Sequence, residues 1–347
     1  MTTHRVSVWG FALLLGLAGG GRAERGEEHR RRHERPIRVP HDFATLQEAV
    51  DAASDGDRIE VGPGRFCGAT ITRRVDLRGR PGATIVGCPA PAVGAYRVGF
   101  FLPDRSGSGT SIRGFRFDGG GVSNANLDPL GAAILARSAD RVSVVDNHFH
   151  GTFQAITNTD GSGWTVLFNV VEHLTALTCD GGCAGGDGIV FQQRLVLDRR
   201  PEGNVAAFNR VQGEIPDGLN EFPVTGVFVL GQERARVVGN SFDIPHNPAA
   251  EAQGLGVEVS DHCCGSVVVS TSVKTQVLFN DGRRAERVLR VDADAQGGNG
   301  NLEGARIFGN RGKIELPGGA APVRQPERAA LRAADVGPAQ PRASILY

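Results

Sequence analysis

Val144-Val145-Asp146-Asn147 is the first of six copies of a short phrase that decides the fold of this 347-residue chain. In each copy, two mostly apolar residues are followed by any residue and then by Asn. The repeated Asn residues are Asn147, Asn169, Asn209, Asn240, Asn280 and Asn310, at intervals of 22, 40, 31, 40 and 30 residues. A repeat of this size with β-branched residues is typical of a solenoid, in which each repeat forms a coil that stacks on the next.

A second set of strand-like segments lies between the Asn phrases. Its members are 132–135, 154–157, 188–191, 226–229, 256–259 and 288–291. One strand of each set per coil, on different faces, predicts an all-β fold of the parallel β-helix type. An Asn at each bend can bond the main chain there and stack on the Asn of the next coil, so we expect a structural Asn ladder. The 40-residue intervals would hold extra loop near 176–186 and 245–255.

The two ends of the chain differ in composition from the repeats. Residues 1–23 combine a basic start, an apolar core that is short for a membrane span, and small residues before Glu24, which predicts a cleaved secretory signal and a secreted or periplasmic protein. Residues 24–35 form a charged linker, and 317–347 form a Pro/Ala/Arg-rich tail; we expect both to be disordered. The β-helix domain is expected over 36–316. Within it, apolar residues at helical spacing over 43–53 predict a helix that caps the first coil.

Charge and cysteine content narrow the functional classes. The chain has 38 Lys and Arg against 38 Asp and Glu, so no global field attracts nucleic acid or an anionic membrane. Six cysteines fit an oxidising compartment. Cys67 and Cys88 are 21 residues apart and could lie on neighbouring coils, whereas the pairing of the other four is open. Those four are Cys179, Cys183, Cys263 and Cys264, and they lack the paired spacing of a typical zinc site.

The segment ATLQEAVDAASDGDRIEVGPGRF at 44–66, followed by VDLRG at 75–79 and ATIVG at 83–87, resembles a known family. It is similar to the N-terminal cap and first coils of right-handed parallel β-helix proteins of the pectin-lyase-like superfamily, including the group with NosD-type repeats. The resemblance covers about residues 36–315. Members include polysaccharide lyases, polygalacturonases, sugar epimerases, tailspikes and adhesins. It therefore implies a right-handed solenoid and a polysaccharide or glycan partner, without fixing a reaction.

Asn158-Thr159-Asp160-Gly161 resembles the Asn-Thr-Asp motif of polygalacturonases. This resemblance implies a catalytic Asp160 and a substrate-binding Asn158. Asp187, in Gly-Asp-Gly, matches only half of the Asp-Asp pair of that family, and its Gly-His-Gly and Arg-Ile-Lys motifs are missing from the sequence. Hydrolysis needs an acid and a base that flank the bond, so Asp160 with Asp187 is the candidate pair. The alternative is a plain turn, a structure that this composition favours.

Elimination from a uronate is a second route for catalysis. It needs cations that neutralise the carboxylate and a base that removes the neighbouring proton. The resemblance to pectate lyases implies Asp-bound calcium and an Arg base, although no compact calcium signature is present. The candidates are Asp217 and Arg210 for catalysis, Arg194 and Glu221 for substrate binding, and Asp180 and Asp187 for Ca²⁺.

Two functional classes fit these observations. The first is a secreted lyase, hydrolase or epimerase that acts on an acidic polysaccharide in a groove along one face of the solenoid. The second is a non-catalytic secreted repeat protein that binds a glycan or a surface. The first class predicts that acidic and Arg side chains of successive coils cluster near Asp160, Asp187 and Asp217, and the second predicts that they scatter.

Overall fold

The computed structural model of the protein describes residues 35–93, 96–121, 126, 129–177, 185–194, 200–219, 223–263 and 267–319. The predicted signal at 1–23, nearly all of the linker at 24–35 and the tail after residue 319 lie outside the described residues. The structure is nearly all β, its long sheets are parallel, and the predicted parallel β-helix is confirmed. The chain divides into two compact units, Met1–Val170 and Val171–Tyr347, which are described separately.

The first unit contains three parallel sheets, and successive coils add one strand to each. In chain order its strands are β1 (Ile37–Val39), β2 (Arg58–Val61), β3 (Gly64–Cys67), β4 (Ala69–Thr70), β5 (Asp76–Gly79), β6 (Ala83–Val86), β7 (Ala92–Val93), β8 (Tyr96–Leu102), β9 (Ser111–Arg113), β10 (Arg116–Asp118), β11 (Leu130–Arg137), β12 (Ser143–Val145), β13 (His148–His150), β14 (Gln154–Thr159) and β15 (Thr165–Leu167). The first sheet has the order β1-β2-β5-β9-β12-β15, the second β3-β6-β10-β13, and the third β4-β8-β11-β14. Strand β7 pairs antiparallel with β8, and a 3₁₀ turn spans Arg105–Gly107.

The second unit repeats the three-sheet plan. Its strands are β16 (Val170–Leu174), which starts at the last residue of the first unit, β17 (Gly186–Gln192), β18 (Val205–Ala207), β19 (Arg210–Gly213), β20 (Val224–Leu230), β21 (Arg236–Val238), β22 (Ser241–Asp243), β23 (Gly254–Ser260), β24 (His262–Cys263), β25 (Val267–Val268), β26 (Gln276–Leu278), β27 (Arg287–Val291), β28 (Arg306–Phe308) and β29 (Ile314–Glu315). Its first sheet is β18-β21-β26-β28, its second β16-β19-β22, and its third β17-β20-β23-β27-β29. Strands β24 and β25 form an antiparallel pair, and 3₁₀ turns span Gly300–Leu302 and Pro317–Gly319.

Columns of apolar side chains from successive coils fill the interior. In the first sheet of the first unit, the aligned residues Ile59, Leu77, Ile112, Val144 and Val166 are all fully buried. In the second sheet, Phe117 and Phe149 stack with ring centroids 4.7 Å apart. Burial of each such side chain contributes roughly 1.5–3 kcal/mol. The repeated apolar positions of the sequence therefore build one continuous core within the unit.

A short helix, α1 (Leu46–Ala52), covers the start of the first coil. The Thr45 hydroxyl accepts a hydrogen bond from the Glu48 N–H at 3.2 Å, and the Glu48 carboxylate accepts one from the Thr45 N–H at 3.0 Å. This capping box makes the helix shorter than the predicted 43–53, because Thr45 lies outside it. The Gln47 amide bonds both main-chain groups of Thr70, so the cap also satisfies the open edge of β4.

Cys67 and Cys88 form a disulfide with their Cα atoms 5.5 Å apart. Cys67 ends β3, and Cys88 follows β6, the strand that pairs with β3. The bond therefore joins neighbouring coils. Within the part of the chain that the structure describes, no helix is long and apolar enough to cross a membrane.

Candidate functional site

The repeated Asn side chains lie at the bends between the first and second sheets, where the first five are buried and Asn310 is half-buried. In the second unit, the side-chain amide of Asn209 donates to Asn240, that of Asn240 to Asn280, and that of Asn280 to Asn310, at 2.9–3.0 Å. In the first unit, Asn147 donates to Asn169 at 3.1 Å. The same amides donate to main-chain carbonyls of the preceding coil, for example Asn240 to Ala206 at 3.0 Å. These amides hold neighbouring coils together, and their hydrogen bonds are made within the protein.

Asn158-Thr159-Asp160-Gly161 closes a tight turn at the end of β14. The Asn158 side-chain oxygen accepts from the Gly161 N–H at 3.0 Å, and its amide donates to the Gly161 carbonyl at 2.9 Å. Asp160 adopts a left-handed φ of 62° and is 9% exposed. Both polar groups of Asn158 are thus engaged within its own turn, which is the alternative that the composition offered.

Asp187 lies on the third sheet of the second unit, on strand β17. It is half-buried, and its Cα partner on β20 is Thr225. Thr225 is in turn paired with Leu255 on β23. Asp160 belongs to the first unit and Asp187 to the second. The pairing of these two carboxylates therefore stays a prediction.

A buried polar cluster follows on the same sheet, around Glu258 of β23. The Thr225 hydroxyl donates to one Glu258 carboxylate oxygen at 3.2 Å, and the Arg290 guanidinium donates to the other. Glu258 and Arg290 are Cα partners on β23 and β27. Arg290 also donates to the Gln253 side-chain oxygen at 3.0 Å and lies 3.1 Å from the Asp292 carboxylate. Residues from three successive strands therefore converge on one carboxyl group.

Burial changes the acidity of this carboxyl. Glu258 is only 7% exposed, and its removal from water raises the pKa of its side chain. The Arg290 charge opposes this rise, while the Asp292 charge adds to it. A carboxyl group whose pKa is raised by burial can keep its proton closer to neutral pH, which is the property a general acid needs.

Sequence reasoning missed the Glu258 cluster, because Glu258 looks like an outward, solvated residue of an alternating strand. A signal was nevertheless present in the repeat. Gly256-Val257-Glu258-Val259 and Val288-Leu289-Arg290-Val291 are successive copies of the second strand set. Their third positions are Glu and Arg, opposite charges that stacking brings together.

The other predicted site residues do not join this cluster. Arg210 is exposed and starts β19, so it lies on the second sheet rather than on the third with Asp187. Asp217 is exposed in the connection that leads into β20, and it accepts a hydrogen bond from the Asn247 amide at 2.8 Å. Arg194 is exposed, two residues after β17. Asp180 and Glu221 lie outside the described residues.

The described ranges contain no group of three or more His, Cys, Asp and Glu residues arranged to hold a metal ion. Because Asp180 lies outside those ranges, the calcium site assigned to Asp180 and Asp187 stays a prediction.

No family model matches the sequence. No curated protein matches it either. Among solved structures, Geobacillus virus E2 protein ORF18 is similar at 13% identity and a TM-score of 0.35, over 83% of this chain and 62% of that one. The chain thus spans less than two thirds of the viral protein.

Two further solved structures are similar at the same level. The catalytic domain of a GH87 alpha-1,3-glucanase in complex with tetrasaccharides matches at 9% identity and a TM-score of 0.31, over 80% of this chain and 69% of that one. The A-module of the Azotobacter vinelandii mannuronan C-5 epimerase AlgE6 matches at 15% identity and a TM-score of 0.28, over 81% of this chain and 98% of that one. At such values the likeness concerns the fold alone.

Proposed function

We propose that this is a secreted protein that binds an acidic polysaccharide along the outer face of the third sheet of its second unit and cleaves it there. The observation that supports this most is the convergence of Thr225 and Arg290 on the buried carboxyl of Glu258. It combines a proton donor of raised pKa with a guanidinium that suits the planar carboxylate of a uronate.

Glu258 supplies the acid in this proposal. Its proton passes to the glycosidic oxygen as the bond to that oxygen breaks, and water adds to the anomeric carbon. The proton that this water loses goes to a second carboxylate. Asp187 is our candidate, because it and Glu258 lie on the strands that flank β20, the strand of Thr225. Arg290 orients the substrate by pairing with a uronate carboxylate, in competition with Asp292.

A second candidate function is glycan binding without catalysis. It is favoured by the observation that both oxygens of Glu258 already accept hydrogen bonds within the protein. A cluster that is satisfied in this way also serves as a structural ion pair, which needs no substrate.

One experiment on the secreted, purified protein separates these functions. It is incubated with a panel of acidic and neutral polysaccharides, with calcium and with chelator. New reducing ends without unsaturated products support hydrolysis at Glu258. Unsaturated products that the chelator abolishes indicate a metal-dependent lyase and would shift the site towards Asp180 and Asp187. Retention of the protein on an immobilised acidic polysaccharide, with no product of either kind, supports binding alone.

A further inference from the structure

The bend between the first and second sheets of the second unit exposes two phenylalanine rings. Phe208 and Phe279 directly precede ladder Asn residues, and both adopt a left-handed φ of 56°. They are 51% and 48% exposed. Gly239 and Gly309 occupy the same place on the alternate coils, where glycine takes this conformation without strain. Two Phe residues thus combine backbone strain with exposed apolar surface, a pairing that points to function.

The rings lie along the ridge of the bend, over the next coil. A Cβ atom added to Gly239 would lie 2.8 Å from the Phe208 ring, and one added to Gly309 would lie 2.3 Å from the Phe279 ring. Phe308 meets Phe279 edge-on, with centroids 5.1 Å apart. Because coils repeat at the interstrand spacing, Phe208 and Phe279 are two coils or about 9.6 Å apart along the stack.

Arginines flank this ridge on both sides. Arg236 and Arg306 lie on the first sheet at aligned positions, with Gln276 between them, and neither forms an ion pair with the described residues. On the first sheet, these two arginines belong to the coils that have Gly in the ridge. On the second sheet, Arg210 and Arg311 each directly follow a ladder Asn.

The charge of the corner is positive. One carboxylate, Asp281, lies in the row between Arg210 and Arg311, and Arg283 pairs with it at 2.6 Å. The hydrogen bond from Arg283 lowers the pKa of Asp281, so this ion pair persists at neutral pH. The charge of Asp281 also attracts Arg311, its neighbour in the row, while Arg210, Arg236 and Arg306 form no ion pair with the described residues.

We propose that this corner, formed by Phe208, Phe279, Arg210, Arg236, Arg306 and Arg311, is a second binding surface for an acidic polysaccharide chain that runs along the stack. The inference rests on the proposed function. Aromatic rings stack on the apolar faces of pyranose rings, and guanidinium groups pair with carboxylates or sulfates. The two-coil spacing is close to the length of a disaccharide, so successive disaccharides meet Phe208 and Phe279, and the first-sheet arginines Arg236 and Arg306 recur at the same interval.

Binding of the full-length secreted protein to polygalacturonate and to alginate tests this surface, by affinity electrophoresis at low and high salt. The variant Phe208→Gly with Phe279→Gly is expected to bind about tenfold more weakly, since glycine suits the left-handed backbone and keeps the fold. Arg236→Gln with Arg306→Gln is expected to weaken binding and to reduce its salt dependence. Arg105→Gln with Arg113→Gln, on the first unit, is the matched control and is expected to bind like the wild type.

The outcomes separate the two proposals. If the wild type binds and both corner variants bind as tightly as the wild type, the proposed binding surface at the corner is overturned and the proposed function stands. If the wild type binds neither polysaccharide, the proposed function fails and the corner fails with it. Circular dichroism and thermal unfolding of each variant establish that weaker binding does not come from a lost fold.

Discussion

The side-chain oxygen of Asn240 accepts two hydrogen bonds from Asn209, one from its main-chain N–H and one from its side-chain amide, both at 2.9 Å. Asn240 donates in turn to the Ala206 carbonyl at 3.0 Å and to Asn280 at 3.0 Å. All of these groups are buried, so every bond is made without competition from water. The bend between the sheets thus depends on the side chains of the ladder as well as on its main chain.

Replacing Asn240 by Ala is expected to lower the free energy of unfolding by about 2–4 kcal/mol, because it leaves buried donors and a carbonyl unpaired. Denaturant unfolding measures the change. The exposed neighbour Ser241 provides the control, and Ser241→Ala is expected to change stability by less than about 0.5 kcal/mol. Equal stability of Asn240→Ala and the wild type would refute a stabilising role for the ladder.

The left-handed Phe208 allows a comparison of two truncations. Phe208→Gly and Phe208→Ala both remove the ring, but only glycine adopts a φ of 56° without strain. We expect the Gly variant to be more stable than the Ala variant by about 1 kcal/mol, against the usual order of these residues. Thermal unfolding of the two proteins side by side measures the difference. An Ala variant that is the more stable of the two would show that the bend is not strained.

The disulfide between Cys67 and Cys88 closes a loop with a sequence separation of 21. Replacing both cysteines by Ser is expected to cost about 2–4 kcal/mol, because the open loop gains freedom in the unfolded chain. Guanidinium unfolding with and without a reductant measures this cost. The reductant is expected to destabilise the wild type and to leave the unfolding of the double variant unchanged. Sensitivity of the double variant to the reductant would mean that another disulfide matters.

The raised pKa of Glu258 has a defined effect on stability. Burial favours the protonated carboxyl, so the contribution of this group is fully present below its unfolded pKa and is lost as pH rises through its folded pKa. In Glu258→Gln the side chain is neutral at every pH. The wild type should therefore lose stability relative to Glu258→Gln as pH rises from about 4, the unfolded pKa of Glu. Unfolding of both proteins at a series of pH values tests this, and the opposite trend would mean that Arg290 keeps Glu258 charged.

The sequence predicts the solenoid well because the repeat is local. Each apolar phrase that ends in Asn specifies one strand and the bend that follows it. Because the phrase recurs along the chain, successive repeats form similar coils that stack on one another. The strands of the second sheet are harder to predict from the sequence. Strands such as β13 (His148–His150) and β22 (Ser241–Asp243) follow the ladder Asn directly and contain only three residues each. The sequence shows them only as one apolar residue, Phe149 or Phe242.

The candidate site was less predictable, because it depends on which coils and faces meet. Asp187 and Arg210 are both near strands in the sequence, but one lies on the third sheet and the other on the second. Asn158 belongs to a segment that resembles a catalytic motif, but its side chain forms hydrogen bonds with Gly161 that close a turn. Glu258 is an alternating outward residue, yet it is buried, and alternation within a strand cannot show what covers its outer face.

Turnover of an acidic polysaccharide by Glu258→Gln tests whether Glu258 is the acid that cleaves the substrate. The control is Glu251→Gln, since Glu251 is an exposed glutamate in the connection before β23. Initial rates of reducing-end formation are compared for the wild type and both variants. We expect Glu258→Gln to be at least about a hundredfold slower than the wild type, while Glu251→Gln matches the wild type. A Glu258→Gln protein that turns over substrate as fast as the wild type would show that Glu258 is not the acid.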